Sequence, residues 1–195
     1  MSRKYYRFYG GLISFQENWL NKMAENGYRL IRAERLLYEF EECRPGQYQY
    51  RVEFVGHKSR ENADDYARFL EDCGCRTFFK NINLNWNVGK VEARPWAEPG
   101  GRIASNSTTF NRELLIVEKE NDGKPFELHT TYEDKQNYYK SMRRPWIFLF
   151  IVLAVLTAVT RQPIWGVFAI LSLIELIVFQ VKLGKLKKQA DIKEL

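Results

Sequence analysis

One apolar run, from Pro145 to Val181, constrains this chain more than any other feature. It reads PWIFLFIVLAVLTAVT, then Arg161-Gln162-Pro163, then IWGVFAILSLIELIVFQV. A helix that spans a bilayer needs about 20 apolar residues, with a range of roughly 17 to 25. Trp146 to Thr160 falls a little short of that length and Ile164 to Val181 meets it. A single helix across both is disfavoured, because Arg161 and Pro163 interrupt the run at its centre and proline restrains Gln162 from helical geometry. The run therefore predicts two antiparallel transmembrane helices, 145–160 and 164–182, joined by a tight turn. Such a pair satisfies its own backbone hydrogen bonds in lipid. Both segments are apolar on all faces, which argues against a buried core hairpin.

The flanks predict an orientation. Lys140, Arg143 and Arg144 precede the first helix, and Lys182, Lys185, Lys187 and Lys188 follow the second, while the turn holds only Arg161. Positive charge stays on the cytoplasmic side. The expectation is a multi-pass protein of the cell membrane with both termini cytoplasmic, and with Lys140, Arg143, Arg144, Lys182 and Lys185 facing anionic headgroups. Such attraction is worth about 1 kcal/mol per charge near the surface. Trp146 and Trp165 sit near opposite ends of the hairpin, as interfacial anchors do. The stretch MSRKYYRFYGG has no apolar core, so no cleavable signal is expected.

The net charge of +6 does not point to nucleic acid. The seven basic residues at the hairpin flanks exceed it, so the rest of the chain is slightly acidic and the basicity reflects membrane topology. Three cysteines, Cys43, Cys73 and Cys75, are an odd number in a domain expected to be cytoplasmic, which argues against a disulfide framework. Cys73-Gly74-Cys75 has no histidine at ligand spacing, since His57 and His129 lie elsewhere. A zinc site needs about four ligands. Neither a metal nor a cofactor is expected.

Residues 1–131 read as one soluble α+β domain. Lys4 to Tyr9 alternates aromatic and basic residues, as a strand does, and Gly10-Gly11 ends it. Ser14 to Glu17 fits a capping box, followed by a helix with Trp19, Leu20, Met23 and Ala24 on one face and Gly27 as its stop. Tyr28 to Glu42 is strand-like, with a bend or bulge at Arg32 to Arg35. Tyr48, Tyr50, Val52 and Phe54 alternate with polar residues and predict a strand with one buried face. Across the Arg44-Pro45-Gly46 turn, Phe40 is expected opposite Tyr50 and Glu39 opposite Arg51. Ser59 opens a second helix through Leu70, Gly74 stops it, and Arg76 to Lys80 is a strand. This order, strand-helix-strand-strand-helix-strand, predicts a ferredoxin-like antiparallel sheet with helices on one face. Further strands are expected at Asn83 to Arg94, with Trp86, at Glu113 to Lys119 and at Phe126 to Thr130. Pro95 to Asn111 reads as a loop. A juxtamembrane helix, 132–144, brings Tyr138, Tyr139 and Met142 toward the lipid boundary, and 183–195 is a basic cytoplasmic tail.

Three segments carry a family resemblance: WLNKMAENGYRLI at 19–31, YEFEECRPGQYQYRVEF at 38–54 and PFELHTTYEDK at 125–135. They resemble the DUF2812 family of bacterial proteins, whose name records an unknown function. Residues 81 to 112 depart from that pattern by an apparent insertion. The resemblance implies a soluble domain with C-terminal membrane helices, in a regulatory setting beside regulators of the PadR type. It implies no catalytic residues.

The expected function is a membrane-anchored cytoplasmic binding or regulatory module, with Tyr5, Tyr9 and Trp86 as its ligand or partner surface. The alternative is an accessory subunit of a membrane complex or transporter. An enzyme is not expected. Asp64-Asp65, Glu71-Asp72 and Glu133-Asp134 are adjacent pairs, and neighbours on a helix do not face each other. Glu175 is the one carboxylate inside the hairpin, with Ser172 one turn away. Acids at that depth are costly, so Glu175 is expected either to bond Ser172 or the backbone within the hairpin or, with Ser172, to form the candidate transmembrane contact with a protein partner or a second copy.

Overall fold

Tyr48–Phe54 forms a strand, as its alternation predicts, but its partner is not Leu37–Glu42. The computed structural model describes residues 2–88, 91–97, 103–104, 111–128 and 132–193. Two units emerge, Met1–Arg94 with Ile103–His129, and Pro95–Arg102 with Thr130–Leu195. The class is α+β, with antiparallel sheets in the first unit and a pair of long apolar helices in the second.

The first unit runs β1 (Arg3–Tyr6), α1 (Ile13–Glu25), β2 (Tyr28–Ala33), β3 (Leu37–Glu42), β4 (Tyr48–Phe54), α2 (Arg60–Asp72), β5 (Arg76–Lys80), β6 (Trp86–Val88), β7 (Val91–Ala93), β8 (Ile103–Ala104) and β9 (Leu114–Glu120). The strands form three three-stranded sheets, ordered β1-β3-β2, β4-β9-β5 and β6-β7-β8, rather than one. The first keeps the ferredoxin-like order without a fourth strand. Phe40 pairs with Arg3 and Leu30, and Glu39 with Lys4 and Arg32. Arg51 pairs with Val117 and Tyr50 with Glu118. The expected contacts between β3 and β4 are therefore absent. The bend at Arg32 to Arg35 is the turn of the β2–β3 hairpin, and the register shifts between Leu30 and Arg32.

Side chains of α1 explain why β4 takes no partner from the first sheet. Asn21 accepts the Tyr50 amide at 2.8 Å and donates to the Tyr50 carbonyl at 2.9 Å, while Glu17 accepts the Val52 amide at 3.0 Å. These groups stand one helical turn apart on one face and satisfy the β4 edge as a strand would. Glu17 also pairs with Arg51 at 2.5 Å. It is thus unavailable for the expected capping box. The helix starts two residues early, with Leu12 rather than Ser14 at the N-cap and no side-chain cap. Gly27 closes it at φ 81°, and a Cβ there would meet the Cys43 carbonyl at 2.9 Å. The second helix follows its sequence signals: Ser59 caps it by accepting the Asn62 amide at 3.1 Å.

Helix α2 covers the middle sheet. Ala63, Ala67 and Leu70 pack with Val55, Leu115, Val117 and Phe126 in a buried cluster. Tyr50 and Val52 are buried, but Tyr48 and Phe54 are half-exposed at the strand ends. Truncating Phe54 therefore costs less than the roughly 3–5 kcal/mol of a fully buried phenylalanine. Phe126 is core but lies outside any strand, so the expected return strand over the described residues 126–128 is absent. The strand expected around Trp86 is a short hairpin, β6 with β7. Pro99-Gly100-Gly101, His129 and Thr130 lie outside the described residues.

In the second unit, the juxtamembrane segment and first apolar segment are one helix, α3 (Tyr132–Thr160), with Pro145 inside it. Proline has no N–H to offer the carbonyl one turn back. The second helix, α4 (Pro163–Lys193), carries on through most of the expected tail. Pro163 is its first residue, where a missing N–H is harmless. Arg161 makes the turn in the left-handed region at φ 54°, donating its amide to the Thr157 carbonyl at 2.9 Å. Tyr138, Tyr139 and Met142 are buried, with Tyr139 6.1 Å from the Phe179 ring. Arg143 donates to Gln180 across the pair. Asp134–Thr160 and Pro163–Leu186 are long and apolar enough to cross a membrane, and only 11% and 17% of their apolar stretches are buried. A core hairpin of a soluble protein would be mostly buried.

Candidate functional site

The N-terminal strand, α1 and β3 meet in an aromatic cluster. Tyr5 pairs directly with Tyr38 in the sheet, so both side chains stand on the face that α1 covers. Gly10 and Gly11, at φ 53° and 83°, reverse the chain, and the Leu12 amide donates to the Tyr9 carbonyl at 2.9 Å. That turn brings the Tyr9 ring back over the start of the helix. Trp19 is central. Its ring lies 5.0 Å from Tyr38, 5.4 Å from Phe40, 6.0 Å from Tyr5 and 6.1 Å from Tyr9. Three of these four contacts are edge-to-face, as ring quadrupoles prefer. The Arg7 guanidinium sits 4.8 Å over Trp19.

Tyr38 and Phe40 are buried, whereas Tyr5, Tyr9 and Trp19 are half-exposed. The cluster is therefore a floor with an open side. Three buried polar atoms belong to its residues or the adjoining helix turn: the Tyr9 hydroxyl, with the Arg7 side chain beside it, the Tyr38 hydroxyl and Gln16 Nε2 make no hydrogen bond of good geometry among the described residues. Buried polar groups are almost always paired, so three such atoms in one cluster are an exception among the described residues. Burial pushes the Tyr9 hydroxyl up to about 12, opposed by the neighbouring Arg7 charge. Burial also holds the Tyr38 hydroxyl well above its usual range, so both stay neutral donors.

Beneath Tyr38 lies Lys80. Its ammonium is 4.5 Å from the ring centroid and donates to the Glu34 and Arg35 carbonyls, the latter at 2.8 Å. Burial lowers it to about 8. The lysine is 2% exposed and holds the β2–β3 turn against β5, so it braces the site without lining it.

The sequence singles out Tyr5, Tyr9 and Trp86. The fold brings Tyr5 and Tyr9 together on Trp19, while the Trp86 side chain lies outside the described residues. Arg7, Gln16, Trp19 and Tyr38 were missed. Gln16 had a legible signal, since it stands one turn before Leu20 on the apolar face of α1. Of the expected headgroup-facing residues, Lys140, Arg144 and Lys185 are exposed, Lys182 is half-buried, and Arg143 turns to Gln180. Ser172 is buried and donates to the Ala169 carbonyl at 2.8 Å, not to Glu175.

Three of the carboxylates considered for catalysis are engaged elsewhere. Asp64 pairs with Arg112 at 2.5 Å, Asp65 with Arg68, and Glu71 accepts the Thr77 hydroxyl at 2.6 Å. The Glu133 side chain lies outside the described residues. Cys43, Cys73 and Cys75 are free thiols. Among the described residues, no group of three histidines, cysteines or carboxylates is arranged to hold a metal ion.

A family model described as "Protein of unknown function (DUF2812)" matches residues 13–151, most of the chain. No curated protein and no solved structure matches it.

Proposed function

The chain belongs to the DUF2812 family, and on that premise we propose that it is a membrane-anchored binding module of the cytoplasmic face, not an enzyme, which takes a ligand or partner group at the aromatic cluster. The observation that carries this reading is the set of buried polar atoms without a hydrogen bond of good geometry, Tyr9 hydroxyl, Tyr38 hydroxyl and Gln16 Nε2, behind half-exposed Tyr9 and Trp19. Rings supply contact area at low entropy cost, and a few polar atoms fix orientation. The two apolar helices serve as the anchor, spanning the cell membrane twice with both termini in the cytoplasm. The basic flanks Lys140, Arg144 and Lys185 meet anionic headgroups there. The module works in a regulatory setting beside a PadR-type regulator, and nucleic acid is not its ligand.

A crosslinking pull-down from membranes tests the binding site. Wild-type protein is expected to recover a specific ligand or partner, and Tyr9→Ala and Gln16→Leu to lose it. Equal recovery from all three, or no specific species from any, sinks the assignment. Reporter fusions at residue 195 test the topology: activity confined to the outside of the cytoplasm overturns it. The second reading, an accessory subunit of a membrane complex, is favoured by Glu175, which bonds to no described residue of its own chain. Mass analysis of the intact complex in mild detergent tells the two apart.

A further inference from the structure

Tyr5, Arg7 and Tyr9 follow one another at intervals of two, so an extended chain turns all three toward the face that α1 covers. The Arg7 amide donates to the Leu36 carbonyl at 2.9 Å, which carries the pairing with the β3 side one residue past β1 and fixes the backbone there. The Arg7 side chain is exposed, yet it is held twice. Its guanidinium lies 4.8 Å over Trp19 and stands beside the Tyr9 hydroxyl.

That guanidinium has no carboxylate within ion-pair distance among the described residues. Other stacked arginines have one. Arg3 over Tyr28 pairs with Glu42, Arg29 over Tyr48 with Glu118, and Arg112 over Phe79 with Asp64. Arg76 over Phe78 also lacks one, but it stacks on a single ring, where Arg7 has Trp19 with Tyr5 and Tyr9 around it. The local sequence supplies no counter-charge: residues 1–16 hold Arg3, Lys4 and Arg7 and no acid. The hydroxyls nearest Arg7 do not supply one either, since burial keeps Tyr9 and Tyr38 protonated. Lys80, beneath Tyr38, is spent on the Glu34 and Arg35 carbonyls.

One unopposed guanidinium suits one negative charge. Stacking engages its face and leaves the N–H groups in its plane, and that fork matches a carboxylate by two parallel hydrogen bonds. A phosphate dianion would call for more cations than the cluster holds. Beside the guanidinium, the half-exposed rings of Tyr5, Tyr9 and Trp19 offer a flat apolar surface to the rest of a ligand. We propose that the aromatic cluster takes a small monocarboxylate with a flat apolar body, its carboxylate on Arg7 and its body against Tyr5, Tyr9 and Trp19. The proposal names the ligand class of the binding site described above and rests on that reading.

Calorimetric titration of the full chain in detergent with benzoate tests it, with micelles alone as the blank. Saturable binding is expected. Benzamide, which has the same ring and no charge, should bind at least about tenfold more weakly, and Arg7→Met should weaken benzoate by at least about as much. Arg3→Met, on the same strand but paired with Glu42, should bind benzoate as the wild type does. If Arg7→Met does not fold, Arg7→Lys, which keeps the charge without the fork, should still bind benzoate measurably more weakly than the wild type. Equal binding of benzoate and benzamide, or tighter binding of benzylammonium, overturns the carboxylate and leaves an aromatic site of another ligand class. Equal losses in Arg3→Met and Arg7→Met overturn the assignment to Arg7. No saturable binding of any probe overturns the proposal, while the binding module itself falls only if the membrane pull-down also recovers nothing specific.

Discussion

Tyr50 donates its hydroxyl to Glu118 at 2.7 Å, directly across from it on the neighbouring strand, and the same hydroxyl accepts the Leu30 amide of another sheet at 2.8 Å. Arg29, next to Leu30, reaches the same carboxylate at 2.8 Å. One buried oxygen and one buried carboxylate thus tie the first sheet to the second. Tyr50→Phe keeps the ring but leaves the Leu30 amide without an acceptor. The expected loss is about 1–3 kcal/mol, because an unpaired buried donor retains its full desolvation penalty. Thermal unfolding of the full chain in detergent checks this, and an unchanged midpoint would show that the bridge is dispensable.

Asn21 offers a second test, of the β4 edge. It replaces a neighbouring strand by bonding to both the amide and the carbonyl of Tyr50. Asn21→Ala should destabilise by roughly 1–3 kcal/mol, and Asn21→Asp, which keeps only the acceptor, by less. The same melts report both. A larger loss for the aspartate variant contradicts the edge-cap description.

Lys80 predicts a pH dependence. Burial lowers its ammonium from the usual 10.5 to about 8. Between those values the unfolded chain holds a proton that the folded chain has released, so the Lys80 contribution to stability rises with pH. One pH unit is worth up to about 1.4 kcal/mol, and the two carbonyls and the Tyr38 ring that hold the ammonium reduce that slope. Wild type should gain roughly 1–2 kcal/mol on Lys80→Met between about pH 8 and pH 10. Taking the difference cancels other groups, such as Cys43 and Cys75, whose thiols burial raises. A flat difference would mean that the ammonium stays charged in the fold.

Glu113 is a buried acid with three donors around it. It accepts the Asn111 amide at 2.6 Å, the Ile82 amide at 3.1 Å and the Asn85 side chain. Burial raises its carboxyl above the ordinary value against the pull of those bonds. Glu113→Ala strands the two amides and should cost about 2–5 kcal/mol, whereas Glu113→Gln keeps one acceptor oxygen and should cost about half as much. Chemical denaturation midpoints decide the order of the two variants. Equal midpoints would mean that solvent replaces the carboxylate.

Local periodicity decided much of this protein. The apolar runs around Arg161-Gln162-Pro163, the helix stops at Gly27 and Gly74, the Ser59 cap and the alternation at 48–54 all act through neighbours in sequence, so each could be read from the chain. Half of the candidate site was legible for the same reason, since Tyr5 and Tyr9 stand out in an alternating strand. Trp19 read only as a core residue, and Tyr38 as a strand residue, because their meeting depends on how α1 packs on the sheet. Strand partnership was also a tertiary decision. A period of two says which face a residue takes but not which edge it pairs with, and β4 joined β9, some sixty residues away, because Asn21 and Glu17 had closed its other side. The burial of Lys80 and Glu113 lies beyond sequence reading too: the Glu34 and Arg35 carbonyls that hold Lys80, and the Ile82 amide and Asn85 side chain that hold Glu113, reach them only once the chain has folded.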